Sequence, residues 1–147
     1  MRIRYAKTRD VKDPSYGTKG SAGIDFYVPN DLSNKKSIAV YPGDSILIPS
    51  GIKVELPDDT ALIAFNKSGV STKQCLQVGA CVVDSDYRGE IHLHVFNYSN
   101  LIQYIEPGQK LVQFVLLPYH QAVLIPLRDG DFSTTERGEG GFGSTGL

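Results

Sequence analysis

Short apolar segments that alternate with polar residues, each closed by Pro, Gly or Asp, run through this chain and leave little room for helix. Ile52-Lys53-Val54-Glu55-Leu56 alternates and stops at Pro57-Asp58-Asp59, and Ile91-His92-Leu93-His94-Val95 alternates again. A period of two turns one side of a strand to a core and the other to solvent. Ser45-Ile46-Leu47-Ile48 reads as a separate strand after the turn Tyr41-Pro42-Gly43-Asp44. Leu111 to Leu117 is almost continuously apolar, so it reads as a strand buried on both faces. Ala122-Val123-Leu124-Ile125, after Pro118, reads as a further strand. The one helical candidate is short, from Ser68-Gly69 through Gln74. This spacing predicts an all-β sandwich or barrel.

With 147 residues the chain is the size of one ordinary domain. Its formal net charge of -1 argues against a nucleic-acid partner gripped by a broad basic face, but leaves room for a small phosphorylated ligand. No segment approaches the roughly 18 apolar residues of a membrane span. Met1-Arg2-Ile3-Arg4-Tyr5 has no apolar core of signal-peptide length, so the expected compartment is the cytoplasm, or the host-cell cytoplasm for a viral or phage protein. Cys75 and Cys81 form no CxxC pair and read as reduced, structural thiols.

Four places could carry chemistry. Asp84-Ser85-Asp86-Tyr87-Arg88-Gly89 lies between strand-like segments 77–83 and 90–96, which reads as the loop of a hairpin. Two carboxylates there could bind a metal or supply a base; a plain polar turn has the same composition. Lys67-Ser68-Gly69 sits where a strand gives way to the short helix, and helix N-termini favour phosphate; an N-cap Ser beside a solvated Lys is the structural alternative. Arg137 to Gly146 combines glycines with a cation, the aromatic Phe142 and two hydroxyls, in a segment whose polarity alone reads as a loose tail. His92 and His94 share a strand face and could hold a metal with His120, although Ile91, Leu93 and Val95 claim the core side.

In order along the chain, Ala22-Gly23-Ile24-Asp25, Lys67-Ser68-Gly69, Asp84 to Gly89, Gly108-Gln109-Lys110-Leu111-Val112-Gln113 and Arg137 to Gly146 resemble the five motifs of the trimeric dUTPase family. The resemblance implies a jelly-roll-like β-barrel over residues 1–132. It also implies a glycine-rich arm, residues 133–147, that closes over a neighbouring subunit's active site in a homotrimer. It implies hydrolysis of dUTP to dUMP and pyrophosphate, which limits uracil incorporation into DNA and supplies dUMP for dTTP synthesis. Asp84 is then the general base for water attacking the α-phosphorus. Tyr87 packs under deoxyribose, and the backbone of Gly79, Cys81, Val82 and Val83 reads uracil. Lys67, Ser68, Gly69 and Gln113 hold phosphate oxygens. Asp25 holds waters on a Mg²⁺ ion chelated mainly by the triphosphate. Phe142 stacks over uracil, while Arg137, Gly143, Ser144 and Thr145 close on the substrate and its outer phosphates.

Three positions depart from the family pattern. Lys67 stands where Arg is usual and lacks its planar fork. Cys81 replaces a frequent Gly, and Val78 stands where many bacterial members have Asn. Three other readings stay open at this point: dCTP deaminase, which shares the fold; a nucleotide-binding regulator without turnover; and a cupin-like metal enzyme built on His92 and His94.

Overall fold

The computed structural model describes residues 1–141. Its strands are β1 (Arg4–Lys7), β2 (Ser15–Tyr16), β3 (Ile24–Tyr27), β4 (Ile38–Val40), β5 (Ser45–Glu55), β6 (Thr60–Asn66), β7 (Leu76–Val78), β8 (Val82–Val83), β9 (Glu90–Asn97), β10 (Gln103–Ile105) and β11 (Lys110–Pro118). One α-helix, α1 (Ser68–Gln74), and a 3₁₀ turn, Leu32–Lys35, complete the elements. No described helix is long and apolar enough to cross a membrane.

Strands in the order β1-β5-β9-β7 form one sheet and β2-β3-β11-β6-β8 another, with β10-β4 as a small third. The class is mostly β and jelly-roll-like, as expected. The sheets are not closed into a barrel, because the chain leaves β7 at the edge of one sheet and enters β8 at the edge of the other.

Alternation decides which faces meet. On β9, Ile91, Leu93 and Val95 are buried, whereas His92 is exposed and His94 and Phe96 are half-buried. All four residues of β3 are buried. β11 runs between β3 and β6, which accounts for its apolar sequence, but burial holds only for its first half: Leu111, Val112 and Phe114 are buried and Leu117 is exposed. The Phe26 and Phe114 rings, 4.6 Å between centroids, join β3 to β11.

Three strand expectations are revised. Residues 45–55 form one strand, not two. It is bulged between Pro49 and Lys53, where Gly51 at φ +75° takes a turn other residues resist. Residues 77–83 do not form a hairpin arm with 90–96: β7 pairs with β9, but β8 pairs with β6, so the Asp84–Gly89 loop connects two sheets. Residues 122–125 pair with no strand among the described residues, and Val123, Leu124 and Ile125 are exposed. Four consecutive apolar residues read as a strand, but such a run does not name the edge that would pair with it.

Asn97, at the end of β9, is 1% exposed and fully engaged. Its amide nitrogen donates to the Val40 and Leu101 carbonyls, both at 2.8 Å, and its oxygen accepts from the Ser99 amide at 2.9 Å and hydroxyl at 2.7 Å. Asn97→Leu strands these buried groups, so we expect a loss of about 2–4 kcal/mol in denaturant unfolding. Unchanged stability would show that the groups find other partners.

Candidate active site

Two clusters of the sequence-selected residues form, at different places. The first surrounds a cavity of about 190 Å³. Residues 80–84 and Tyr87 line it, with Leu47 and His92 from neighbouring strands. Ligand sites usually enclose about 300–1,000 Å³, so this cavity suits part of a nucleotide rather than the whole. The Asp84 carboxylate is exposed and makes no hydrogen bond or ion pair among the described residues. Its loop is braced from within. The Tyr87 amide donates to the Asp84 carbonyl at 3.2 Å, and Arg88 donates to the Ser85 carbonyl at 2.7 Å. The Tyr87 hydroxyl donates to the Glu90 carbonyl at 3.0 Å, which fixes the ring at the cavity wall.

The wall between β7 and β8 is made of backbone. The Gly79 amide donates to the His94 carbonyl at 2.9 Å, and the Cys81 carbonyl accepts from the Ala64 amide at 2.7 Å. Gly79 lies so close to β9 that an added Cβ would sit 2.3 Å from His94 Nδ1. The departures from the family pattern are accommodated there. Exposed Cys81 takes part through its carbonyl, and the Val78 amide donates to Asn66 Oδ1 at 2.7 Å while Val78 pairs with Val95. Both cysteines are free thiols, as expected.

The second cluster centres on Asp25, 4% exposed. Lys67 Nζ pairs with one carboxylate oxygen, and Lys110 Nζ lies 2.8 Å from the other. Burial alone would raise the Asp25 pKa; the hydrogen bonds and charges of Lys110 and Lys67 outweigh it and hold the group below its usual range. Asp25 in turn raises the pKa of exposed Lys110. Gln113 stands opposite Asp25 in the β3–β11 ladder, and its amide donates to the Asn66 carbonyl at 2.8 Å. Its side chain lies across Gly23, where an added Cβ would approach within 2.3 Å of Gln113 Oε1. This close approach requires Gly in Ala22-Gly23-Ile24-Asp25. Ser68 and Gly69 open α1 at the surface, with Lys67 at the N-cap and no capping side chain. Among the described residues, no three His, Cys, Asp or Glu side chains are grouped to hold a metal by themselves. An ionised Asp25 flanked by ammonium groups fits an outer role, accepting from water on a substrate-chelated ion.

The two clusters sit at opposite ends of β6. Val82 and Val83 pair with Ile63 and Leu62, which sets Asp84 near the level of Ala61, six residues from Lys67. At about 3.3 Å per residue the separation is about 20 Å. The Ser85 hydroxyl, 3.3 Å from that of Tyr119, confirms the direction, since the Tyr119 amide donates to the Asp59 carbonyl. Arg137 is exposed in a turn where its Nε donates to the Gly140 carbonyl at 2.8 Å. Phe142, Gly143, Ser144 and Thr145 lie outside the described residues. Sequence reasoning missed Lys110 and Asn66: Lys110 belongs to a stretch it quoted and Asn66 adjoins one, but their roles depend on which strands pair.

The dUTPase family model matches residues 9–146. A deoxyuridine 5'-triphosphate nucleotidohydrolase of Fusobacterium nucleatum is 36% identical over 148 residues, covering 99% of this chain and 97% of the relative. The Staphylococcus bacteriophage 80alpha dUTPase with dUPNHPP superposes with a TM-score of 0.83 at 21% identity, covering 99% of each chain. A mutant dUTPase from phage phi11 of S. aureus, described with a structural Mg(II) ion, has a TM-score of 0.74 at 18% identity, covering 90% of this chain and all of that one. The chain belongs to the dUTPase family, the dUTP diphosphatases.

Proposed function

We propose that this chain acts in the cytoplasm as a homotrimer that hydrolyses dUTP to dUMP and pyrophosphate, with each active site assembled from more than one copy. The observation that carries the shared site is the separation along β6. Water activated by Asp84 must attack the α-phosphorus, and the phosphates bonded to it must reach Lys67. Adjacent phosphates of one nucleotide cannot span about 20 Å, the length of six extended residues. A second copy can bring its Lys67 end to the Asp84 end of the first. The exposed apolar segment Val123–Ile125 supports association, since it is left uncovered by the described residues of its own chain.

In this reading Asp84 takes a proton from water as the water oxygen bonds to the α-phosphorus. The bond from that phosphorus to the bridging oxygen breaks, and pyrophosphate leaves. Little covalent work falls to the protein; positioning and charge neutralisation dominate. Asp25 would hold a Mg²⁺ ion through water, and the ion would supply further charge neutralisation. Lys67, Ser68, Gly69 and Gln113 bind phosphate oxygens. Tyr87 blocks the place of a 2′-hydroxyl. The backbone from Gly79 to Val83 reads uracil, and the small cavity beside it supports a base-and-sugar occupant. The arm, residues 133–147, closes over a neighbouring copy's site through Arg137, Phe142, Gly143, Ser144 and Thr145. The biological result is less uracil in DNA and a supply of dUMP for dTTP synthesis. Membership of the dUTPase family favours this reading over a dCTP deaminase, and the intact Asp84–Gly89 loop favours it over a regulator without turnover.

Pyrophosphate release measured across dUTP, UTP, dCTP and dTTP tests the proposal, with dUTP expected to dominate. Asp84→Asn should fold and bind a non-hydrolysable dUTP analogue, while kcat falls about 10²–10⁴-fold. Near-normal turnover would remove Asp84 from the base role.

Tyr87→Ala should improve UTP as a substrate relative to dUTP. The kcat/KM ratio for the two nucleotides is the quantity to compare, and an unchanged ratio would place sugar discrimination elsewhere.

A further inference from the structure

The crossing between the two sheets leaves the Ala80 backbone amide without a ladder partner. β7 follows β9 as far as Val78 opposite Val95, and the Gly79 amide still reaches the His94 carbonyl. The chain then turns away towards β6, where the Cys81 carbonyl is taken by the Ala64 amide. Ala80, between them, has no strand beside it. Its amide donates instead to His94 Nδ1 at 2.8 Å.

We propose that His94 is a positioning residue for base recognition, whose Nδ1 holds the Ala80 amide and so sets the path of the backbone that meets uracil. The proposal rests on the reading that residues 79–83 meet the base. Three observations carry it. First, the acceptor is a side chain at a residue of the crossing that has no sheet partner among the described residues, so an apolar replacement leaves the amide unpaired. Second, the ring is held in place. Its centroid is 4.7 Å from that of Phe96, and Gly79 packs against both rings, so closely that a Cβ there would meet His94 Nδ1 at 2.3 Å and Phe96 Cε2 at 2.6 Å. Third, with the Gly79 and Ala80 amides and the Cys81 carbonyl engaged, the Gly79 and Ala80 carbonyls and the Cys81 amide have no protein partner among the described residues. The groups facing outward are therefore fixed by the groups held inward. Acceptance at Nδ1 requires a neutral ring with its proton on Nε2.

This explains why a histidine stands on the non-core face of β9. Its alternation with Leu93 and Val95 requires only a polar residue there, and a solvated side chain would satisfy that. The histidine also needs no metal, because Nδ1 is already occupied and no metal-binding group of three surrounds it among the described residues.

The test compares the parent with His94→Phe, which keeps a ring and removes the acceptor, and His94→Asn, whose Oδ1 can replace Nδ1. Steady-state kinetics with dUTP and dCTP, thermal unfolding of each sample and a long-range ¹H–¹⁵N imidazole spectrum of the parent are recorded. His94→Phe should raise KM for dUTP about five- to tenfold, leave kcat within about twofold and narrow the preference for uracil over cytosine. His94→Asn should restore KM to within about threefold of the parent, which general damage to the sheet would not allow. A parent without preference for uracil would defeat the base-reading backbone and this proposal with it. A parent that prefers uracil, with a folded His94→Phe that keeps the same KM and preference, would defeat this proposal alone. Equal losses in both variants would do the same. If neither variant folds, the parent spectrum decides: a proton on Nε2 supports the assignment, and a proton on Nδ1 overturns it.

Discussion

β6 is a seven-residue hydrogen-bonded strand with β11 on one side and β8 on the other, and its length separates the Asp84 loop from Lys67. Antiparallel pairing prevents it from shortening, and its buried residues, Ala61, Leu62 and Ala64, prevent it from slipping by one residue. Everything attached to it inherits that spacing. The Asp84 loop leaves β8 at one end, while Lys67 and α1 leave β6 at the other. If Asp84 is the base and Lys67 grips phosphate, as proposed, a single chain has each without the other.

Each half is organised before substrate arrives. In the phosphate half, Asp25 draws Lys67 and Lys110 to one point, so two cations are gathered on a surface that would otherwise scatter them by repulsion. Because this carboxyl is held below its usual range, the clamp stabilises the fold above the unfolded-state pKa; that stability is lost as pH falls through the folded-state value. At neutral pH the clamp is intact. At the other end, the organisation is backbone: the chain crosses between sheets, and hydrogen bonds from the Ala64 amide and to His94 set where its free groups point.

Much of this was legible in the sequence, for reasons that also mark where legibility stopped. The core face of β9 follows from period two, and α1 stands where Ser68-Gly69 begins a helical stretch. The dUTPase motifs pointed to Asp84, Tyr87, Lys67 and Asp25, and the structure gathers them into two groups. Period two says which way a side chain faces, but not which strand lies alongside. Hence residues 77–83 read as one arm of a hairpin, although the chain changes sheets within it, and 122–125 read as a strand although it pairs with none among the described residues. Lys110 escaped notice for the same reason: only the pairing of β11 with β3 brings it to Asp25.

Mixing two crippled chains tests the shared site most directly. Asp84→Asn retains the phosphate grip, and Lys67→Ala retains the base. Equal amounts are dissociated and reassembled together, beside each variant treated alone, and kcat/KM for dUTP is measured. If each site takes Asp84 from one copy and Lys67 from another, random mixing leaves about a quarter of the sites with both groups intact. Activity should then rise to about a quarter of the parent value, well above either variant. Activity no greater than the average of the two variants, in a sample shown to contain mixed assemblies, would mean that both residues serve the same site from one chain.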